Sequence, residues 1–292
     1  LKYATASFLA SLASPWNYIY SEAKLKTDPK FYEKNVMGTG PFTFGEYVKG
    51  SHWTGKKNPN YFDKGKPYLD SFRAVFITDP NRQTTAVQSK QAMIEFRGFT
   101  PQQRDTLSRA LPNDLAIQEA PWVCVNYVVF NTTKKPFDDE RVRRALTLAV
   151  DRWTGGEALS KQTIVKDVGG LMRPKGPFAM SDADLEKIPG FYRDNKKAVD
   201  EAKKLLADAG AADLKFNFHN RNIPTPYEPV AVFLINEWKK IGVTATHTVK
   251  ETAAYQADLR RVALQRRHAR QDDRGPGARD RRGEAEEAGL GH

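Results

Sequence analysis

"VVFNTTKKPFDDERVRRALTLAVDR", residues 128–152, changes its period half-way along. With the preceding "PWVCVNY", residues 121–131 are apolar on both alternating faces, the pattern of a strand buried on two sides. Beyond the polar turn the spacing becomes helical, and Val142, Ala145, Leu146, Ala149 and Val150 recur on one face. Asp138 is the expected N-cap. Asp138 and Asp139 also form a carboxylate pair, but a cap at a helix start accounts for them without catalysis.

Downstream, residues 155–190 read as loop-rich, with "GGLMRPKGPF" and "IPGFY". Ala198, Ala202, Leu205, Leu206 and Ala209 then line one face of a helix that Gly210 ends. "LKFNFH" alternates like a strand. "YEPVAVFLINEWKK" gives a helix with Val230, Phe233, Leu234, Trp238 and Ile241 inward and Gly242 as its stop, and "VTATHTV" is a second strand. Strand, crossover helix and strand make a βαβ unit.

Upstream, "NVMGTGPFTFGEY", residues 35–47, has the look of a phosphate loop. The chemistry is wrong for one. Pro41 has no N–H to offer, no Lys-Ser or Lys-Thr pair follows, and Thr43 stands where a dinucleotide fingerprint needs glycine. A tight turn explains it: Gly38 and Gly40 permit positive φ, and Pro41 sets an extended start to "FTFGEYV". Residues 15–34 are helical or irregular. "FRAVFI", residues 72–77, and "AMIEF" are strand candidates around a short helix in "DPNRQTTAVQSKQ", which suggests a mixed sheet with helices on it.

The chain has 292 residues, which favours two lobes, and 40% hydrophobic content supplies a core. No apolar run approaches the roughly 18 residues of a membrane span. The opening "LKYATASFLASLASPWNYIY" lacks a charged start, an unbroken apolar stretch and an initiator Met, so no signal peptide is expected in it. The lone Cys124 sits in "WVCVNYVVF" and reads as a small buried hydrophobe. His52, His219, His247, His268 and His292 have no partners at metal-ligand spacing, and no cofactor or metal is expected. The net charge of +11 raises a second reading, a basic nucleic-acid-associated protein using its Arg-rich tail. Lysines scattered along amphipathic segments such as "NKKAVDEAKKLL" are solvated helix faces instead, and argue for no nucleic-acid partner.

Taken in order, "GTGPF", "NPNYF", "KPYLDSF", residues 128–152, "AKKLLADAG" and "IGVTATHT" resemble the family 5 extracellular solute-binding proteins of bacterial ABC transporters, the dipeptide- and oligopeptide-binding group. The resemblance runs over roughly residues 20–260. Its signature positions are Gly38, Gly40, Pro41, Asn131, Pro136, Phe137, Asp138, Asp139, Arg141, Val142 and Arg143. It departs at Lys197-Ala198, where the family often has Tyr-Asp, and at Ser89-Lys90-Gln91, where the family often has glycine and an acid.

The resemblance implies a two-lobed α/β fold of the type II periplasmic-binding-protein class, incomplete at both ends. Residues 1–120 would form part of the first lobe, 121–131 a hinge crossing strand, and 132–261 part of the second lobe. It implies a periplasmic protein, or a lipoprotein outside the cytoplasm, that binds a peptide-like small molecule between its lobes and meets ABC permease subunits. No catalysis is implied. Relatives take peptides, nickel chelates, opines or sugars. The residues near the cleft would be Trp122, Asn126 and Tyr127, with Arg97 and Phe99 after "MIEF".

After Arg261 the composition breaks. Residues 262–292 hold seven arginines and six acids, and no Phe, Tyr, Trp, Lys or Ile. A tail of that kind cannot nucleate a core and is expected to be disordered. It also interrupts a fold still on pattern, which suggests a frameshift product. "VALQRRHARQDDRGPGARD" has a permitted coding that, read one base later, contains Phe-Asn-Val-Ala followed by Ala-Asp-Pro-Glu, like the family's next strand and turn. Sequencing the coding DNA checks this: the shifted frame after Arg261 is expected to continue as that strand, and a stop codon there refutes it.

Overall fold

A computed structural model describes residues 5–14, 17–95, 98–119, 125–170, 172 and 174–261. Trp122, Cys124, Arg97 and the tail 262–292 lie outside the described residues. Contacts divide the chain into two compact units, Leu1–Thr85 and Ala86–His292.

The first unit begins with three short helices, α1 (Phe8–Leu12), α2 (Glu22–Thr27) and α3 (Phe31–Lys34). A three-stranded sheet follows, β1 (Phe42–Val48), β2 (His52–Lys57) and β3 (Ser71–Val75), in that order. Both ladders are antiparallel, so the expected mixed sheet is corrected. The connections, a tight hairpin and a loop without a helix, suit antiparallel neighbours, whereas a parallel pair needs a longer crossover. "AMIEF" forms no strand over its described residues 92–95. Met93 and Ile94 are exposed there.

The turn before β1 is built differently from the expectation. Neither Gly38 nor Gly40 adopts positive φ, and a Cβ on either would touch nothing within 4 Å. Asn58 closes the turn instead, its Nδ2 donating to the Gly40 carbonyl at 2.8 Å and its backbone N–H to that of Pro41 at 2.9 Å. Positive φ occurs instead at Gly50, φ 75°, in the β1–β2 hairpin, and at Gly65, φ 84°, in the β2–β3 loop.

The second unit carries α4 (Pro80–Gln88) across its boundary, then α5 (Pro101–Ala110), α6 (Glu140–Leu148), α7 (Arg152–Ser160), α8 (Asp182–Leu185), α9 (Asn195–Asp208), β4 (Lys215–Arg221), α10 (Tyr227–Lys239) and β5 (Thr244–Lys250); residues 252–261 are also helical. The βαβ reading is right: β4 and β5 pair in parallel with α10 as the crossover. Val142, Ala145 and Leu146 of α6, Ala202 and Leu206 of α9 and Trp238 of α10 form one buried cluster with Leu214, Val243 and Ala245 at the strands. On β4, Phe216 and Phe218 face this cluster while Lys215, Asn217 and His219 are exposed, the period of two that a half-buried strand requires. Both Phe216 and Phe218 rings meet the Trp238 indole, at 5.5 and 5.1 Å.

The signature stretch is a clamp around α6. Asp139, one residue beyond the expected Asp138, is the N-cap, accepting the Arg141 N–H at 2.8 Å. Asp138 is held back in the preceding turn, where its own N–H reaches the Lys134 carbonyl at 3.1 Å. Arg141 also donates to the carbonyl of Asp208 at 2.7 Å, tying the start of α6 to the last turn of α9, a favourable place for a cation. Arg143 donates to the Phe137 and Asp138 carbonyls at 2.7 and 3.0 Å. The Asn131 carboxamide accepts the Thr133 hydroxyl at 2.8 Å, and Pro136 leads into Phe137, whose ring packs edge-on to Phe216 at 5.2 Å.

The segment ahead of that clamp departs from the sequence reading. Residues 125–131 make no ladder, and burial is one-sided. Val128 and Phe130 lean on the core while Val125, Tyr127 and Val129 are exposed. Two-sided burial requires cover on both faces, and among the described residues only the core supplies it. Helix α7 lies where loops were expected, because Gly155-Gly156 masks it. Asp151 caps it, and Gly155 leaves room for its neighbour: a Cβ there would run into the Phe233 ring of α10.

That contact decides between two opposed effects of Gly155→Ala. Helix propensity favours alanine by up to about 1 kcal/mol, while overpacking costs about 1–3 kcal/mol. The expected result is a net loss of about 1 kcal/mol in the denaturation midpoint analysis, with Gly38→Ala unchanged within about 0.5 kcal/mol.

Candidate functional site

In open α/β sheets the crevice outside the carboxyl ends of parallel strands is where a ligand is met. Here β4 and β5 end side by side at Arg221 and Lys250. Asn222 follows β4 and folds across, its N–H donating to the Lys250 carbonyl at 2.7 Å and its Nδ2 to Glu251 Oε1 at 2.7 Å. Lys250 reaches Asp258 Oδ2 on the helix 252–261 at 2.6 Å. That hydrogen bond, then the charges of Lys250, Arg261 and His219, hold the Asp258 carboxyl below its ordinary range.

Arg221 stands at this edge. Its Nη1 donates to the Tyr227 hydroxyl at 3.0 Å, and its guanidinium lies 4.9 Å from the centre of the same ring. Its Nε is buried and has no hydrogen-bond partner, and among the described residues no carboxylate pairs with it. The unmet Nε–H donor is costly, about 1–3 kcal/mol. Tyr255 is close by: burial pushes its phenol up, while the Arg221 charge pulls it down and Tyr227 and Tyr127 push it up further. The result is a cation seated on the Tyr227 ring with the Tyr255 phenol nearby, a setting for an anionic group attached to an apolar body.

Of the five sequence-derived site residues, Asn126, Tyr127 and Phe99 are among the described residues. Tyr127 is exposed and coupled to Tyr255, and Asn126 is exposed beside it. Phe99 is half-buried immediately before Thr100, the N-cap of α5. Arg97 and Trp122 lie outside the described residues. Arg221, Asn220 and Tyr227 were missed. The available signal was a polar Asn-Arg pair closing an alternating strand ahead of the loop "NIPTP".

A profile of the bacterial extracellular solute-binding proteins, family 5 (middle region), matches residues 1–269. The chain belongs to this family. Its members are solute-binding transport proteins. One relative, di/tripeptide-binding protein 2 of Pseudomonas aeruginosa, is 32% identical over 219 residues, 73% of this chain and 38% of its own length. The oligopeptide-binding protein AppA of Bacillus subtilis is 29% identical over 238 residues, 77% of this chain and 41% of its own. Among solved structures, the ABC transporter-associated periplasmic binding protein DppA of Helicobacter pylori, in complex with the peptide STSA, superposes with a TM-score of 0.68 at 24% identity, covering 86% of this chain and 47% of that one. The fold is therefore that of the type II periplasmic binding proteins, α/β as expected. The chain spans less than half the length of these curated relatives.

Proposed function

We propose that this chain serves as the solute-binding component of an ABC importer, outside the cytoplasm, and grips the carboxylate of a peptide-like ligand with Arg221. The observation that carries the reading is the Arg221 guanidinium, half-buried, stacked on Tyr227 and lacking a carboxylate partner among the described residues. A ligand carboxylate supplies an anionic acceptor to the guanidinium through a charge-assisted bond. Tyr227, Tyr255 and the exposed Tyr127 offer apolar faces to the side chain beside it. The relatives named as di/tripeptide- and oligopeptide-binding proteins support a peptide as the ligand class. In this reading residues 1–120 belong to one lobe and 132–261 to the other, 121–131 crosses between them, and the lobes close on the ligand before delivery to the permease. No step makes or breaks a covalent bond, and no cofactor takes part.

The test is a nuclear magnetic resonance titration of the 292-residue chain with Ala-Ala and with Ala-Ala amide. A charge-assisted hydrogen bond contributes about 1.5–3 kcal/mol, so the free carboxylate is expected to bind at least about tenfold more tightly. Arg221→Gln removes that preference. Equal affinity for acid and amide in the unaltered chain, or a preference that survives the substitution, refutes the reading.

A further inference from the structure

We propose that Asn220 is a positioning residue for this site, holding Arg221 and its Tyr227 support in register; this rests on the carboxylate reading above. Asn220 is the residue before Arg221 on β4, paired with Val249 of β5, and only 8% exposed. A buried carboxamide is expensive unless both ends are bonded. Here both are. Oδ1 accepts the Arg221 backbone N–H at 2.9 Å. Nδ2 donates to the Tyr227 carbonyl at 2.9 Å and faces His247 Nε2, on β5, at 3.3 Å.

These bonds reach each part the guanidinium depends on. One fixes the backbone from which the Arg221 side chain departs. Another fixes the backbone of Tyr227, the first residue of α10, whose hydroxyl and ring hold the other end of that side chain. The third leads to the neighbouring strand. Asn220 thus cross-links the two ends of the loop "NIPTP" with a single amide. The backbone bonds at that loop, Asn222 N–H to Lys250 carbonyl, Ile223 N–H to Arg221 carbonyl and Val230 N–H to Pro226 carbonyl, do not cross it. None of them joins Arg221 to Tyr227. A side chain with the same number of heavy atoms but no amide, such as leucine, keeps the site filled and leaves the two ends of the loop joined only through the Arg221 side chain on Tyr227. Aspartate keeps the acceptor for Arg221 but turns an oxygen toward the Tyr227 carbonyl, so it is not a conservative replacement.

The experiment compares Ala-Ala with Ala-Ala amide on the full chain for Asn220→Leu and Asn220→Ser, beside Arg221→Gln. A positioning role predicts that Asn220→Leu weakens Ala-Ala roughly tenfold, one well-aligned charge-assisted bond, and changes the amide less than about twofold. Serine, which can serve one of the two loop ends, is expected to fall between asparagine and leucine. Far-UV circular dichroism and thermal melting establish that each variant is folded, and if leucine fails to fold the serine variant decides. Equal weakening of acid and amide, or no weakening of either, overturns the positioning role while leaving the Arg221 result intact. If Arg221→Gln itself does not discriminate acid from amide, the carboxylate reading falls and this role falls with it.

Discussion

The indole of Trp238 is the interaction on which the second unit depends. It is 1% exposed, and its N–H donates to the Leu146 carbonyl at 3.0 Å. Leu146 lies in the last turn of α6, where carbonyls lack intrahelical partners, so one buried side chain both fills the core and satisfies a helix end. The neighbouring Thr147 carbonyl is met in a similar way by Arg152, whose burial pulls its guanidinium down from the usual arginine range. With Asp139 at the other end, α6 is capped by its own sequence at the start and by α7 and α10 at the finish. Truncating Trp238 would remove a large apolar volume and leave a buried carbonyl unpaired, effects that add to several kcal/mol.

The consequence for the site is geometric. Phe216 and Phe218 of β4 pack on the same indole, so the strand has no freedom to slide, and a slip of one residue would turn both rings to solvent. Asn220 and Arg221 therefore leave the sheet at a fixed place. What distinguishes Arg221 is its buried Nε, which has no hydrogen-bond partner among the described residues. Arg141 is taken by Asp139 and the Asp208 carbonyl, Arg104 by Asp105 and Glu119, and Arg193 by Glu186 and the Trp153 ring. Arg221 has one hydroxyl and a ring face. In a chain with net charge +11, a cation is informative by its missing partner rather than by its presence.

Much of the second unit was legible because periodicity reports burial directly. The α6 and α9 stripes and the β4–α10–β5 unit follow from spacing alone. The errors have physical causes. The apolar pattern of 121–131 does not state which faces are covered, and over 125–131 only Val128 and Phe130 lean on the core. Gly155-Gly156 reads as a loop unless the Phe233 ring above it is known. Glu237 looks like a surface residue of α10, yet it is 5% exposed, accepts the Asp151 N–H at 3.0 Å and pairs with Lys240. The family signature was legible as a pattern, while its work as a clamp between α6 and α9 needed the Asp208 carbonyl, far away in sequence. Arg221 was not singled out because no local feature separates it from the other strand-end cations; its availability is a property of the groups around it.

The central claim is that the Arg221 guanidinium is held ready for a carboxylate. The most direct measurement is the side-chain Nε–H resonance of Arg221 in arginine-labelled chain, assigned by its loss in Arg221→Lys, as a dipeptide is added. The account predicts that this signal shifts as the free carboxylate binds the guanidinium, and stays in place with the amide. A signal that ignores both, or answers them alike, would contradict it.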